Sequence, residues 1–102
     1  MTYVIGFDIG TTSTIGILLG LPDRILHIAS RPVTLTARHP GWAEEDPGQW
    51  WANVCAIAQE LIEVGGIDPS GVGAIGVTGM LPAVVLLDGE ARLLRSSIQQ
   101  SD

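Results

Sequence analysis

One cysteine, Cys55, is all the chain has, so no internal disulfide can staple the fold. No apolar run reaches the ~18 residues of a membrane-spanning helix, and no basic leader with a cleavage site opens the chain. A cytoplasmic address is the expectation. Basic residues are equally scarce. Five Lys and Arg stand against eleven Asp and Glu, a net charge of -6, which excludes the phosphate-neutralising surface of a nucleic-acid binder. An anionic ligand must then be held by backbone donors, hydroxyls and a cation. Two familiar anion-binding signatures are missing as well: neither the G-x-x-x-x-G-K-[ST] loop nor the G-x-G-x-x-G turn occurs. There is no repeat, low-complexity tract or dividing linker, so 102 residues make one domain at most. A chain of this size buries only about 60–70% of its unfolded surface. Yet 46% of the residues are hydrophobic and 16% charged, with a mean hydropathy of +0.36. That surplus implies apolar faces covered by more of the same polypeptide, by a second copy or by a partner.

What is present centres on Met1–Gly20. Tyr3-Val4-Ile5-Gly6-Phe7 and Ile15-Gly16-Ile17-Leu18-Leu19 suit buried strands, and between them lie Asp8, Gly10 and the hydroxyl run Thr11-Thr12-Ser13-Thr14. The pattern predicts a β-hairpin with a polar tip. Small side chains and backbone N–H groups there can approach an anion, while Asp8 faces a metal or its waters. The tip reads as a phosphate-handling turn.

Beyond it, Gly20-Leu21-Pro22-Asp23 carries turn chemistry, and Arg24 to Leu35 reads as a third, antiparallel strand. His27 inside it has no second ligand at metal spacing. Thr36 to Glu45 reads as a polar, irregular connector. Asp46 then predicts a helix N-cap, Pro47 the first helical position, and Gln49 the partner of a capping box. Trp50, Val54, Ile57, Ala58 and Leu61 trace one helical face, and Gly65-Gly66 is the stop. Cys55 reads as a small apolar residue near this face. Val72 to Gly79 predicts a fourth strand, apolar on both faces as if central and covered from both sides. Its exit, Thr78-Gly79-Met80-Leu81-Pro82, is placed where open α/β sheets bind ligands. Ala83–Leu87 and Ala91–Leu94 around Asp88-Gly89 predict a closing hairpin.

Three stretches, in order, resemble the FGGY family of carbohydrate kinases: Gly6-Phe7-Asp8-Ile9-Gly10-Thr11-Thr12-Ser13-Thr14, Pro40 to Pro47 with Trp50-Trp51, and Ile75 to Gly79 with Val84 to Asp88. The resemblance spans essentially the whole chain. It implies an α/β fold of the actin-like ATPase, ribonuclease-H-like type: a mixed sheet of three antiparallel strands and a parallel fourth, one helix and a C-terminal hairpin. It further implies that residues 1–102 are the opening portion of the first of two domains in an ATP- and Mg²⁺-dependent sugar or polyol kinase. The second domain, which carries the family's catalytic base and most adenosine contacts, is absent, so the segment alone is expected to be inactive.

By the same resemblance, Asp8, Gly10, Thr11, Thr12 and Ser13 contact the Mg²⁺–phosphate assembly, with Asp8 toward the metal. Met80 and Leu81, at the fourth-strand exit, and Gln100 and Asp102 fall on the sugar side. A carboxylate at Asp102 suits sugar hydroxyls, since it accepts several hydrogen bonds. Three departures stand out. Ile15 occupies a position where many members are basic, Met80-Leu81-Pro82-Ala83 replaces the Gln-Met-His-Gly of xylulose-kinase-like members, and Gln100 replaces a tryptophan. The last two argue against xylulose as the substrate and leave gluconate, another ketopentose or a rarer polyol open. Two other classes compete with the kinase: an actin- or Hsp70-like nucleotide switch, which lacks the Pro40–Pro47 and Trp50-Trp51 pattern, and an interaction module whose Thr-rich hairpin is only a turn.

Overall fold

The computed structural model describes residues 2–80 and 83–99. Strands β1 (Tyr3–Ile9), β2 (Ser13–Gly20) and β3 (Arg24–Pro32) form an antiparallel meander. A two-residue strand β4 (Glu44–Glu45) precedes helix α1 (Pro47–Gly65); a single 3-10 turn (Pro69–Gly71) leads into β5 (Val72–Gly79), followed by the short strands β6 (Ala83–Val84) and β7 (Ser97–Gln99). The main sheet has the order β3-β2-β1-β5, with β5 parallel to β1, and β4-β7-β6 make a second, small sheet.

Helix α1 lies across one face of the main sheet, because β-strand alternation puts Ile5 and Phe7 on the same side as Leu18. Those three, with Ala29, Ile57 and Leu61, form the buried core. Each Ile, Leu or Phe side chain among them contributes about 1.5–3 kcal/mol on leaving water. Gly16 makes the close approach possible: a Cβ there would lie 2.3 Å from Ile57 Cγ2. The helix begins as its sequence dictates, with Asp46 Oδ1 accepting from the Gly48 N–H at 2.9 Å and Pro47 in the first turn. It ends at Gly66, whose φ of 64° is a left-handed conformation that glycine adopts without steric cost.

Four local expectations change. Gln49 does not close a capping box: its Oε1 accepts from the Thr34 N–H at 2.8 Å, since a tertiary partner lies within reach. The third strand stops at Pro32, three residues short of Leu35. The connector is not irregular throughout, because Glu44 and Glu45 form β4 and are almost fully buried. Finally, β5 is an edge strand and not a covered central one. Among the described residues it pairs only with β1, and Ile75 and Val77 are 62% and 70% exposed. Its two-sided apolar sequence leaves bare surface on both faces, including a groove of about 560 Å³ against α1 that Phe7, Trp50, Trp51, Val54, Ile75 and Val77 help to line.

The closing hairpin is reduced to an isolated bridge of Leu87 with Leu93, since Ala83 and Val84 pair with β7 instead, and its turn differs. Leu94 N–H donates to Leu86 O and Asp88 N–H to Arg92 O, enclosing Gly89, Glu90 and Ala91 rather than a two-residue turn. Asp88 Oδ1 accepts from the Glu90 and Arg92 N–H groups, and Ala91, not glycine, takes the left-handed position at φ 63°. No helix of the described residues is long and apolar enough to cross a membrane.

Candidate functional site

The site is built by the parallel pairing of β1 and β5. Their register sets Asp8 beside Thr78 and Ile9 beside Gly79, and the Met80 N–H continues the ladder to Ile9 O at 3.2 Å. Immediately past Ile9 the chain reverses. Gly10 N–H donates to Ser13 O at 2.9 Å, closing the tip, and an added Cβ on Gly10 would meet that same Ser13 oxygen at 2.9 Å. A side chain cannot fit there without opening the turn, so the glycine is required sterically.

The Asp8 carboxylate and the Thr11 and Thr12 side chains are exposed, Ser13 is half-buried and Thr14 is fully buried. Asp8 has no hydrogen bond or ion pair among the described residues and faces an open depression of about 380 Å³ shared with Gly6, Ile15, Ile17, Gly76 and Thr78. Thr11 Oγ1 reaches Met80 Sδ at 3.6 Å. The structure therefore brings Asp8, Gly10, Thr11, Thr12, Ser13 and Met80 to one end of the sheet. Leu81, Gln100 and Asp102 lie outside the described residues. The sequence placed Thr78 in the ligand-facing exit of the fourth strand but not beside Asp8, and only the β1–β5 register reveals that pairing.

The arrangement offers one free carboxylate, hydroxyl groups and a tight backbone turn, and no cluster of three or more His, Cys, Asp or Glu occurs among the described residues. That donor set suits a hard cation that keeps most of its coordination for water and a bound phosphate, as Mg²⁺ does, and does not suit an all-protein metal cage. Ile15 faces the same depression, so the neighbour of Asp8 across β2 is apolar and not basic.

A second polar cluster underlies the small sheet. Glu44 Oε1 accepts from Arg95 at 2.7 Å, Glu45 Oε1 from Trp50 Nε1 at 2.8 Å, and Gln99 Nε2 donates to Ser97 Oγ at 2.7 Å. The second oxygens of Glu44 and Glu45 and the Gln99 carbonyl oxygen are buried without a partner among the described residues. Burial raises the Glu45 carboxyl above its ordinary value, and the Trp50 hydrogen bond only partly opposes this. On the far side of α1, Glu60 accepts from His27 at 2.7 Å and Arg31 at 2.9 Å, which together hold its carboxyl below the ordinary value.

An antiparallel meander extended by a parallel fourth strand, with a helix across one face, is the sheet of an actin-like α/β domain, and the sequence places the chain more narrowly. The model of the N-terminal domain of the FGGY family of carbohydrate kinases matches residues 3–102, and the chain belongs to that family. Its sequence is 34% identical over 87 residues to the glycerol kinase of Bacillus subtilis strain 168, covering 85% of this chain and 18% of that protein. It is 32% identical over 98 residues to the xylulose kinase of Escherichia coli K12, covering 96% of this chain and 20% of that one. The fold is similar to the crystal structure of xylulose kinase from Rhodospirillum rubrum, with a TM-score of 0.90 and 60% identity over 98% of this chain and 20% of that chain. The chain thus spans about a fifth of the length of these relatives.

Proposed function

We propose that residues 1–102 form the phosphate-side opening of a kinase that transfers the γ-phosphoryl group of Mg²⁺–ATP to a hydroxyl of a sugar or polyol. The observation that carries the reading is the exposed Asp8, unpaired among the described residues, beside an open hydroxyl turn whose Gly10 leaves no room for a Cβ without moving Ser13 O. Magnesium would supply the positive charge that this acidic chain lacks. Asp8 would hold the hydrated cation, while Thr11, Thr12 and Ser13 present hydroxyl and N–H donors to phosphate oxygens. Those are the positioning and electrostatic levers on which phosphoryl transfer depends. Thr78 joins them as a further hydroxyl donor beside Asp8.

On the acceptor side, Met80 and Leu81 with Gln100 and Asp102 are the residues we assign to the sugar, Asp102 as a hydroxyl acceptor. Sixty per cent identity to a xylulose kinase favours a pentulose, against the replaced Gln-Met-His-Gly segment, so xylulose belongs on any substrate panel beside glycerol and gluconate. The base that deprotonates the acceptor hydroxyl belongs to a second domain beyond this segment. The exposed faces of β5 are covered by the remainder of the same polypeptide or by a second copy, and the enzyme works in the cytoplasm without nucleic-acid or membrane partners.

The test is a coupled assay of ADP release on the full-length protein with Mg²⁺–ATP and the panel of pentuloses, polyols and aldonates. Sugar-dependent turnover that Asp8→Ala lowers at least a hundredfold, with the protein still folded, is expected. ATP binding without any phosphorylated product would favour the nucleotide-switch class, and an unaffected Asp8→Ala enzyme would remove the central assignment. Residues 1–102 alone should show no turnover.

A further inference from the structure

We infer that Asn53, on α1, and Thr14, on β2, are a positioning pair that sets the orientation of the hydroxyl tip; the inference rests on the phosphate reading of that tip. Asn53 Nδ2 donates to Pro32 O at 3.0 Å and reaches Thr14 Oγ1 at 3.4 Å. A primary amide carries two N–H donors on that nitrogen, so both acceptors are served together. Thr14 is the one hydroxyl of the run with no exposed surface. Its oxygen cannot meet a ligand, so its partner is inside the protein, and that partner comes from the helix.

One turn earlier on the same helix face, Gln49 accepts from the Thr34 N–H at 2.8 Å and its Nε2 reaches Thr34 Oγ1 at 3.4 Å. The two amides therefore hold the segment 32–34 at both of its ends, Asn53 at Pro32 and Gln49 at Thr34. From within that segment the Val33 N–H donates to Thr12 O at 3.0 Å, in the tip itself. Two routes run from α1 to the tip, one through Thr14 and one through Val33. Within the tip, Gly10 N–H to Ser13 O is the internal backbone link. An exposed turn of small residues has little packing to fix it, whereas phosphate donors must stand within about 0.5 Å of their productive places. Asn is a poor residue for a helix interior, and an apolar side chain there would sacrifice only the grip on the sheet end.

The test uses the full-length protein, with kcat/KM for Mg²⁺–ATP and KM for the sugar measured separately for Asn53→Leu, Thr14→Val, the double variant, Thr14→Ser, Thr11→Val and Glu60→Gln. Asn53→Leu and Thr14→Val should each lower kcat/KM for ATP about three- to tenfold, the scale of one lost hydrogen bond. The double variant should fall no further than Asn53→Leu, Thr14→Ser should keep the wild-type value, and KM for the sugar should stay within about twofold. Glu60→Gln cuts a different helix–strand link, to His27 and Arg31. It should lower the unfolding midpoint and leave kcat/KM for ATP unchanged. If Thr11→Val lowers kcat/KM for ATP while Asn53→Leu and Thr14→Val do not, or if their losses simply multiply, the positioning role is refuted and the phosphate site stands. If Thr11→Val too is without effect, the phosphate reading itself falls.

Discussion

Gly10→Ala is the sharpest perturbation of the tip, because the structure fixes both its cause and its size. Among the described glycines only Gly41 and Gly66 have positive φ, so alanine at position 10 violates no backbone preference and the cost is purely steric. Its Cβ would sit 2.9 Å from Ser13 O, against a comfortable C···O approach of about 3.3 Å. The oxygen must recede by roughly 0.4 Å, and it is the same oxygen that accepts the Gly10 N–H at 2.9 Å. Stretching that bond forfeits part of the ~0.5–1.5 kcal/mol it contributes, and overpacking adds ~1 kcal/mol or more. A total of about 1–2 kcal/mol, charged to the geometry of the phosphate donors, corresponds to a 5- to 30-fold loss. Steady-state kinetics of the full-length enzyme should show that fall in kcat/KM for Mg²⁺–ATP and no comparable rise in KM for the sugar. Gly89→Ala, where an added Cβ meets nothing within 4 Å, is the control and should behave as wild type. Equal ATP kinetics in Gly10→Ala and wild type, in a folded protein, would refute the argument that the tip's closure places the donors.

At the helix–sheet interface, Gly16→Ala would drive a Cβ to 2.3 Å from Ile57 Cγ2 and 3.3 Å from Leu61 and Phe7 side chains, costing about 1–3 kcal/mol. The loss should appear in thermal or urea unfolding and be partly recovered by Ile57→Leu, which removes the branched methyl; no recovery would mean that the helix contact is not the cause. The two perturbed glutamates should give opposite acid signatures. His27 first, and then Arg31, hold the Glu60 carboxyl below its ordinary 4.5, so its stabilisation is complete above that value and lost as pH falls through the folded-state value. Glu60→Gln should therefore be less stable than wild type near neutrality, the gap closing in acid. Burial raises Glu45 above 4.5, so the folded state is penalised at neutral pH and relieved as pH falls through the raised value. Glu45→Gln should be the more stable protein near neutrality and equal to wild type below 4.5; unfolding curves across that range decide both signs.

Local rules carried the sequence reading furthest where neighbours in the chain are neighbours in space. The first hairpin, the Asp46 cap, Pro47 and the Gly66 stop are fixed by short-range chemistry and stand where the pattern placed them, although the tip is shorter than expected, with Asp8 and Ile9 inside β1 and Ser13 and Thr14 inside β2. The α1 face was legible for the same reason, since Ile57 and Leu61 recur at helical spacing and point at a sheet. What escaped depends on long-range pairing. Gln49 has two acceptable partners, the helix end and Thr34, and only the packed strand end decides between them. Glu44-Glu45 reads as solvated polar chain until β7 pairs with it and Arg95 reaches its buried carboxylate. The Asp88 turn takes three residues because the Asp88 side chain bonds the N–H groups of Glu90 and Arg92, a preference that the Asp-Gly pair alone does not reveal. β5 misled in a different way. Its composition is that of a doubly covered strand, but among the described residues it pairs only with β1 and both of its faces stay largely open.

That exposure and the charge balance bear directly on the cation proposed for the tip. Three of the five arginines are committed to carboxylates, Arg31 to Glu60, Arg92 to Asp88 and Glu90, and Arg95 to Glu44. Ile15 faces the depression beside Asp8, where a basic residue would otherwise meet the phosphate. A nucleotide approaching this end of the sheet would meet a net-acidic segment and a carboxylate unpaired among the described residues, and like charges a few ångströms apart disfavour binding even in a high-dielectric setting. Backbone N–H groups and hydroxyls orient phosphate oxygens but carry no full charge. A divalent cation reverses the sign of the Asp8 interaction, turning the one repulsive group into the anchor. Ile15 and Ile17 wall one side of the depression, which is otherwise open to water. On the proposed reading, the scarcity of basic residues is matched to a ligand that brings its own positive charge.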